Sequence, residues 1–143
     1  SNWLGALILS VIFYGTGLDT VAMAQALTEA AALRMNLPPL EIFCRGILCN
    51  VLVCLAVWCS FRCHSESAKL IMIFWCLYVF FTLVFGHCIA NMTLMDLALM
   101  APHPDTINMA HYFYNLCCVT AGNVAGAIFF VSIPYGLASR HRA

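Results

Sequence analysis

The chain is 143 residues long, 64% hydrophobic and only 8% charged, with six basic residues against six acidic ones and a formal net charge of zero. A soluble domain carries roughly 45–50% apolar and ~25% charged residues, and one small core cannot bury this much apolar surface. The composition therefore excludes an ordinary soluble domain and indicates an all-α integral membrane protein. The neutral balance, without a basic stripe carrying interleaved aromatics, excludes nucleic acid as a partner.

The first residue is Ser1 and an apolar run opens at Trp3, without the n-region or cleavage site of a signal peptide, so the chain is expected to begin within a longer protein. Four apolar segments follow within a single membrane domain, over residues 3–17, 42–61, 68–101 and 111–138. The link between the first two holds Asp19, Glu29 and Arg34 before Pro38-Pro39. Its alanine-rich middle, residues 20–35, is expected to form a helix at the membrane interface.

The third segment is the odd one. A helix crosses a bilayer in ~20 residues, so residues 68–101 are too many for one crossing and too few for two with a loop. A helix broken at Gly86-His87 resolves the mismatch, with a half-helix from about Ile89 onward. Such breaks occur where the freed backbone groups are buried in protein or line a cavity, and in transporters they cluster at the binding site. One long tilted helix is the alternative.

Arg62 and Lys69 lie in the 60–69 link and Arg140 and Arg142 at the C-terminus, whereas the 102–108 link carries only Asp105 and His103. The positive-inside rule places the two basic regions on the cytoplasmic side. This assignment agrees with four crossings.

Nine cysteines are present, seven of them inside apolar runs, where cysteine behaves as a small apolar residue. An odd number with no small-domain framework argues against a disulfide scaffold. Cys59, Cys63 and His64 supply at most three metal ligands and lack a second pair. Gly46, Ala56, Ala121, Gly122, Gly126 and Ala127 permit close helix approach. Asn50, Asn91 and Asn123 lie in apolar surroundings and need hydrogen-bond partners. Cross-bonding between helices is the better reading for Asn123. For Asn50 and Asn91, cross-bonding and substrate contact stand equal.

No Asp, Glu, Lys or Arg occurs between Lys69 and Asp96, yet His87 stands in that stretch beside a glycine. Intramembrane ionisable groups are costly and by default point to an ion or proton path. A neutral core histidine bonded to a carbonyl is the competing reading.

Three motifs then fall in one order. Residues 43–58, Phe-Cys-Arg-Gly-Ile-Leu-Cys-Asn-Val-Leu-Val-Cys-Leu-Ala-Val-Trp, resemble the signature segment of the formate/nitrite transporter family. Gly86-His87-Cys88-Ile89-Ala90-Asn91-Met92 is similar to that family's second motif, around its pore histidine. Asn115-Leu116 and Gly122-Asn123-Val124-Ala125-Gly126 resemble its last span. The resemblance is collinear from about Trp3 to Ser139.

It implies an aquaporin-like helical bundle of two inverted three-helix repeats, a homopentamer, and one pore in each protomer. The chain resembles the third to sixth of six membrane segments. No nucleophile–base pair stands at a suggestive spacing, so neither an enzyme nor a cofactor is expected. His87 matches the central pore histidine, and Phe80 an aromatic of the outer apolar constriction. Asn50 and Val53 match pore-facing positions, and Asn91 the asparagine after the histidine. Arg34 aligns with a lysine that approaches the pore from outside. Arginine keeps the cation but does not deprotonate, so this position is expected to act through its charge and not as a proton donor. Gly86 replaces a frequent glutamate, which removes a carboxylate that could hold His87 protonated, and Cys88 replaces a frequent serine.

The implied substrates are small monovalent anions of weak acids, namely formate, nitrite or hydrosulfide, together with protons. A bare anion is disfavoured in a narrow apolar ring. Arg34 would draw the anion in, and the apolar zone at Phe80 and Val53 would raise the anion's own pKa until it takes a proton and crosses neutral. His87 is then expected to act as a neutral hydrogen-bond partner, with Asn50 or Asn91 assisting. Channel and proton symport remain open, as does the choice of anion. A water- or ammonia-type pore would share the fold without needing Arg34. A metal-handling membrane protein would use Cys59, Cys63 and His64.

Overall fold

The computed structural model describes residues 2–17 and 20–140, and the regular structure among them is helical. Asp19 in the first link and Arg142 in the basic tail lie outside the described residues. The helices are α1 (Asn2–Gly15), α2 (Val21–Met35), α3 (Pro39–Arg62), α4 (Glu66–Thr82), α5 (Cys88–Met100), α6 (Met109–Ala125) and α7 (Ile133–Arg140). A π-helical segment, Gly126–Ser132, joins α6 to α7 without interruption.

Local sequence sets the ends. Thr20 caps α2 by accepting from the Met23 amide, and Asn108 caps α6 by accepting from His111. Pro39 opens α3 at a position where its missing N–H costs nothing. Glu41 in the first turn and Arg62 in the last turn of α3 complement its dipole.

Length separates the helices into two kinds. α3 has 24 residues and the continuous helix 109–140 has 32, so at 1.5 Å per residue they reach about 36 and 48 Å and exceed the ~30 Å apolar layer. These two are long and apolar enough to cross a membrane unaided. α4 and α5 have 17 and 13 residues, about 26 and 20 Å, and span it only in series.

The helix is indeed broken where expected, but the break is wider. It takes in residues 83–87 and not only the Gly86-His87 pair. The link helix α2 also forms, but it is not peripheral. Ala31 and Met35 are fully buried and join Met95, Ala98, Tyr112, Leu116 and Val119 in one apolar core. A single stripe of α2, extended by Thr28, faces α5 and α6.

The centre of the fold is the crossing of α3 with α6. Gly46 and Gly122 meet there. A Cβ on Gly46 would lie 2.8 Å from the Val119 carbonyl oxygen, and one on Gly122 would strike the Phe43 carbonyl oxygen. Both obstacles are backbone and cannot rotate away, so the close approach requires glycine. α1 is tied to the same body by the Trp3 indole, which donates to the Tyr112 hydroxyl at 2.9 Å, and by Ser10 Oγ, which donates to the Thr93 carbonyl at 3.4 Å. Much of the outer surface is apolar, including Leu70, Ile71, Phe74, Trp75, Tyr78 and Phe81 on α4. That surface suits lipid or a protein neighbour.

Candidate functional site at the helix break

α4 ends in a Schellman turn. The Val84 amide donates to the Phe81 carbonyl at 3.2 Å and the Phe85 amide to the Phe80 carbonyl at 3.1 Å. The left-handed position of such a turn usually belongs to glycine, but here it is Val84, with φ of 52°. A β-branched residue in that region is a true outlier and stores about 1–2 kcal/mol. Strain of this kind persists where the surroundings over-determine it, often at functional sites.

Two of the backbone groups freed by the break go to one side chain. Asn123 of α6 is 5% exposed. Its Nδ2 donates to the Gly86 carbonyl at 3.0 Å and to the Gly46 carbonyl at 2.9 Å. Its Oδ1 accepts from the Cys88 amide at 3.1 Å. Asn50 of α3 donates to the Asn123 backbone carbonyl at 2.6 Å. The peptide groups on both sides of His87 are thus clamped by α6, which in turn is pinned to α3.

His87 is the N-cap of α5. Its Nδ1 accepts from the Ala90 amide at 3.3 Å. A ring that accepts at Nδ1 and is neutral carries its proton on Nε2, so the other edge presents a donor. A second proton on Nδ1 would oppose the Ala90 N–H and cost the cap. The half-buried imidazole stands 6.0 Å from the Phe80 ring, centroid to centroid.

Phe80 is buried and packs on Phe81 at 4.2 Å between centroids. Together they line a chamber of about 190 Å³ with Val84, Phe85, Ala90, Leu94, Asn91 and Arg34. Two residues of the chamber wall, Asn91 and Arg34, are held by a polar chain through Asn115. Asn91 Nδ2 donates to Asn115 Oδ1 at 3.0 Å, and Asn115 Nδ2 donates to the Arg34 carbonyl at 2.7 Å. Arg34 comes from the last turn of α2, where that helix packs into the core.

The sequence-derived candidates are therefore not all in one place. Phe80, Asn91 and Arg34 share the chamber, and His87 adjoins it through the Phe80 ring. Asn50 reaches the break only through Asn123. Val53 lines a different cavity of about 210 Å³, between α3 and α4, with Ala56, Val57, Ser60, Ile73 and Leu77. Among the described residues, Cys59, Cys63 and His64 form no metal-binding cluster. Val84, Phe81 and Phe85 line the chamber without having been singled out in the sequence. Asn115 links two candidates, and the rule that flagged the other intramembrane asparagines applies to it equally. Asp96 is also buried, with Oδ2 unpartnered, facing the Tyr112 hydroxyl on the α1 side of the bundle.

A tightly packed helical body interrupted at mid-chain, with an imidazole at the break, has close relatives. Residues 1–137 match the formate/nitrite transporter family. The chain belongs to the formate/nitrite transporter family. It is 32% identical over 139 residues to the nitrite transporter NirC of Salmonella typhimurium, covering 96% of this chain and 51% of that protein. It is 35% identical over 135 residues to the uncharacterised transporter YwcJ of Bacillus subtilis, covering 94% and 53%. Its structure matches a solved FNT family ion channel with a TM-score of 0.88 at 30% identity, covering 95% of this chain and 55% of that one. A pentameric formate channel with formate bound matches with a TM-score of 0.86 at 28% identity, covering 96% and 62%. The chain spans about half the length of the curated family members it matches. The family assignment places it among membrane transporters and not among enzymes.

Proposed function

We propose that the protein to which this chain belongs carries small monovalent anions of weak acids across a membrane, and that the anion is protonated on the way. The observation that carries this reading is the placement of His87. Its Nδ1 is engaged by the Ala90 amide, which leaves Nε2–H as the free donor of a ring whose centroid lies 6.0 Å from that of Phe80, a wall of the aromatic chamber.

The steps follow from the residues. The Arg34 guanidinium raises the local anion concentration in the chamber. The rings of Phe80, Phe81 and Phe85 offer no hydrogen bonds, so an anion among them loses hydration and becomes a stronger base. A proton delivered through water then gives a neutral acid, which the imidazole holds by one hydrogen bond from Nε2–H. An uncharged species avoids the several kcal/mol that a bare ion would cost in such surroundings. Asn91 keeps the chamber wall in position, and Asn50 steadies the break through Asn123.

Formate and nitrite are the favoured substrates, because the named relatives include a nitrite transporter and a formate channel; hydrosulfide fits the same chemistry. Homopentameric assembly follows the likeness to a pentameric formate channel. The bilayer is assigned as the cytoplasmic membrane, with Arg62, Lys69 and the C-terminus on the cytoplasmic side. Liposomes holding the full-length protein test the reading. Formate or nitrite uptake that rises as external pH falls is expected. Transport of water or ammonia without any of the three anions would overturn it.

A further inference from the structure

Asp96 has no part in the aromatic chamber. It stands five residues after Asn91 on α5, about 140° further round the helix at 3.6 residues per turn, and it does not line that space. It faces the Tyr112 hydroxyl of α6, which also meets Trp3 of α1. α1 lies along α5 by a single stripe, made of Trp3 with the buried Ala6 and Ser10.

Three observations define the state of this carboxyl. First, it is sealed. Asp96 is 6% exposed, and its Oδ2 is out of contact with water and has no hydrogen-bond partner. This chain makes the seal, so a segment added outside it does not reach the oxygen. Second, no cation compensates a negative charge there. Of the helices packed against α5, α1 brings Tyr14 as its one titratable residue, and α2 brings Glu29 and Arg34. α6 brings His111, Tyr112, Tyr114 and two cysteines, and α5 itself has Cys88 at its opposite end. Neither Arg34 nor His111 forms an ion pair with Asp96, and Tyr112 is the group that acts on it. Third, donors are scarce. Tyr112 Oη accepts from Trp3 Nε1 at 2.9 Å and has one O–H to direct at the carboxyl, but that donor does not serve Oδ2. Asp96 also lies toward the negative end of the α5 dipole, in a helix without a basic residue in its last turn. A buried carboxylate needs a paired charge and filled lone pairs, and here it has neither.

We propose that Asp96 is a proton-binding site built into the fold: its carboxyl carries a proton at neutral pH and releases it only when the seam between α1 and α5 opens to water. A neutral acid leaves one polar group short of a partner, which costs far less than a bare charge. The site takes a proton and no larger ligand, because Oδ2 has no accessible space beside it. Ionisation in place would leave the charge sealed. Water must therefore enter, and α1 is the helix that yields, since its side-chain bonds to the body are those of Trp3 and Ser10. The seam is thereby sensitive to alkali, whatever solute the protein carries.

Infrared difference spectra of the full-length protein in detergent, wild type minus Asp96→Asn, test the site. At neutral pH they should show a carboxylic acid carbonyl band that shifts in heavy water, and alkaline titration should replace it by carboxylate bands. The folded protein then holds a proton that the unfolded chain gives up, so wild-type stability falls as pH rises toward that titration and levels off beyond it. The melting temperature of Asp96→Asn, which cannot ionise, should exceed the wild type by a margin that widens over the same range. Under alkali, amide hydrogen exchange over residues 2–15 should be several-fold faster in the wild type than in Asp96→Asn. Asp96→Leu, of similar volume, takes the place of the Asn variant if that variant does not fold. Carboxylate bands in place of the acid band at neutral pH overturn the proposal, as does a melting difference that ignores pH. Equal exchange over residues 2–15 in protein whose acid band titrates overturns the opening of the seam.

Discussion

Replacing Asn123 by alanine tests whether the break at His87 is held by one side chain. The substitution removes two donations, to the Gly86 and Gly46 carbonyls, and one acceptance, from the Cys88 amide. Inter-helical hydrogen bonds in membranes average ~0.6 kcal/mol each and reach ~1.7, so three together amount to about 2–5 kcal/mol. The upper part of that range is favoured because the Gly86 carbonyl and Cys88 amide lie in broken backbone with no helical partner to fall back on. At roughly 2–4 °C per kcal/mol, the full-length protein in detergent should melt about 5 °C lower or more, with formate flux in liposomes falling alongside. Asn123→Asp separates geometry from side-chain volume. It keeps an acceptor for Cys88 but sets an oxygen against two carbonyl oxygens, so at pH above neutral it should be worse than alanine. A melting temperature and flux unchanged in Asn123→Ala would refute the claim that Asn123 organises the site.

The other consequences are narrower. Gly122→Ala puts a methyl group into the Phe43 carbonyl, so α3 and α6 must separate; a loss of about 1–3 kcal/mol should appear as a lower melting temperature, and an unaltered melt would contradict the close crossing. Val84→Gly should relieve about 1–2 kcal/mol of left-handed strain against the ~0.5–1 kcal/mol entropic cost of glycine, leaving thermal stability equal or slightly higher; a drop of more than roughly 5 °C, or about 2 kcal/mol by the same conversion, would show that the valine side chain matters more than its backbone. His87→Asn keeps a strong N-cap and removes the imidazole, whereas His87→Leu removes both and should cost about 1 kcal/mol more in stability. Both should lose flux. Wild-type transport by His87→Asn at every pH would exclude an essential imidazole.

The broken third segment was legible from length alone, because a predominantly apolar segment of 34 residues, positions 68–101, fits neither one crossing nor two. Gly86 drew attention as the breaker, yet the chain turns at Val84. Valine gives no signal for a left-handed residue, and the Schellman hydrogen bonds that enforce it are visible only in three dimensions. The cross-bonding role of Asn123 followed from its apolar surroundings, but its partners on α3 and at the break did not. The chamber was only half readable. Phe80, Arg34 and Asn91 converge, while Val53 lines another cavity, between α3 and α4. The burial of α2 was hidden by its alanine content, which gives little contrast between its two sides.

In the proposed mechanism the anion crosses as a neutral acid past a neutral His87. This is tested most directly by recording formate and proton uptake together in liposomes of the full-length protein, with membrane potential clamped at several values. One proton is expected to be taken up per formate, with uptake that rises as external pH falls and does not depend on the clamped potential. Uptake that follows the potential and ignores external pH would contradict it.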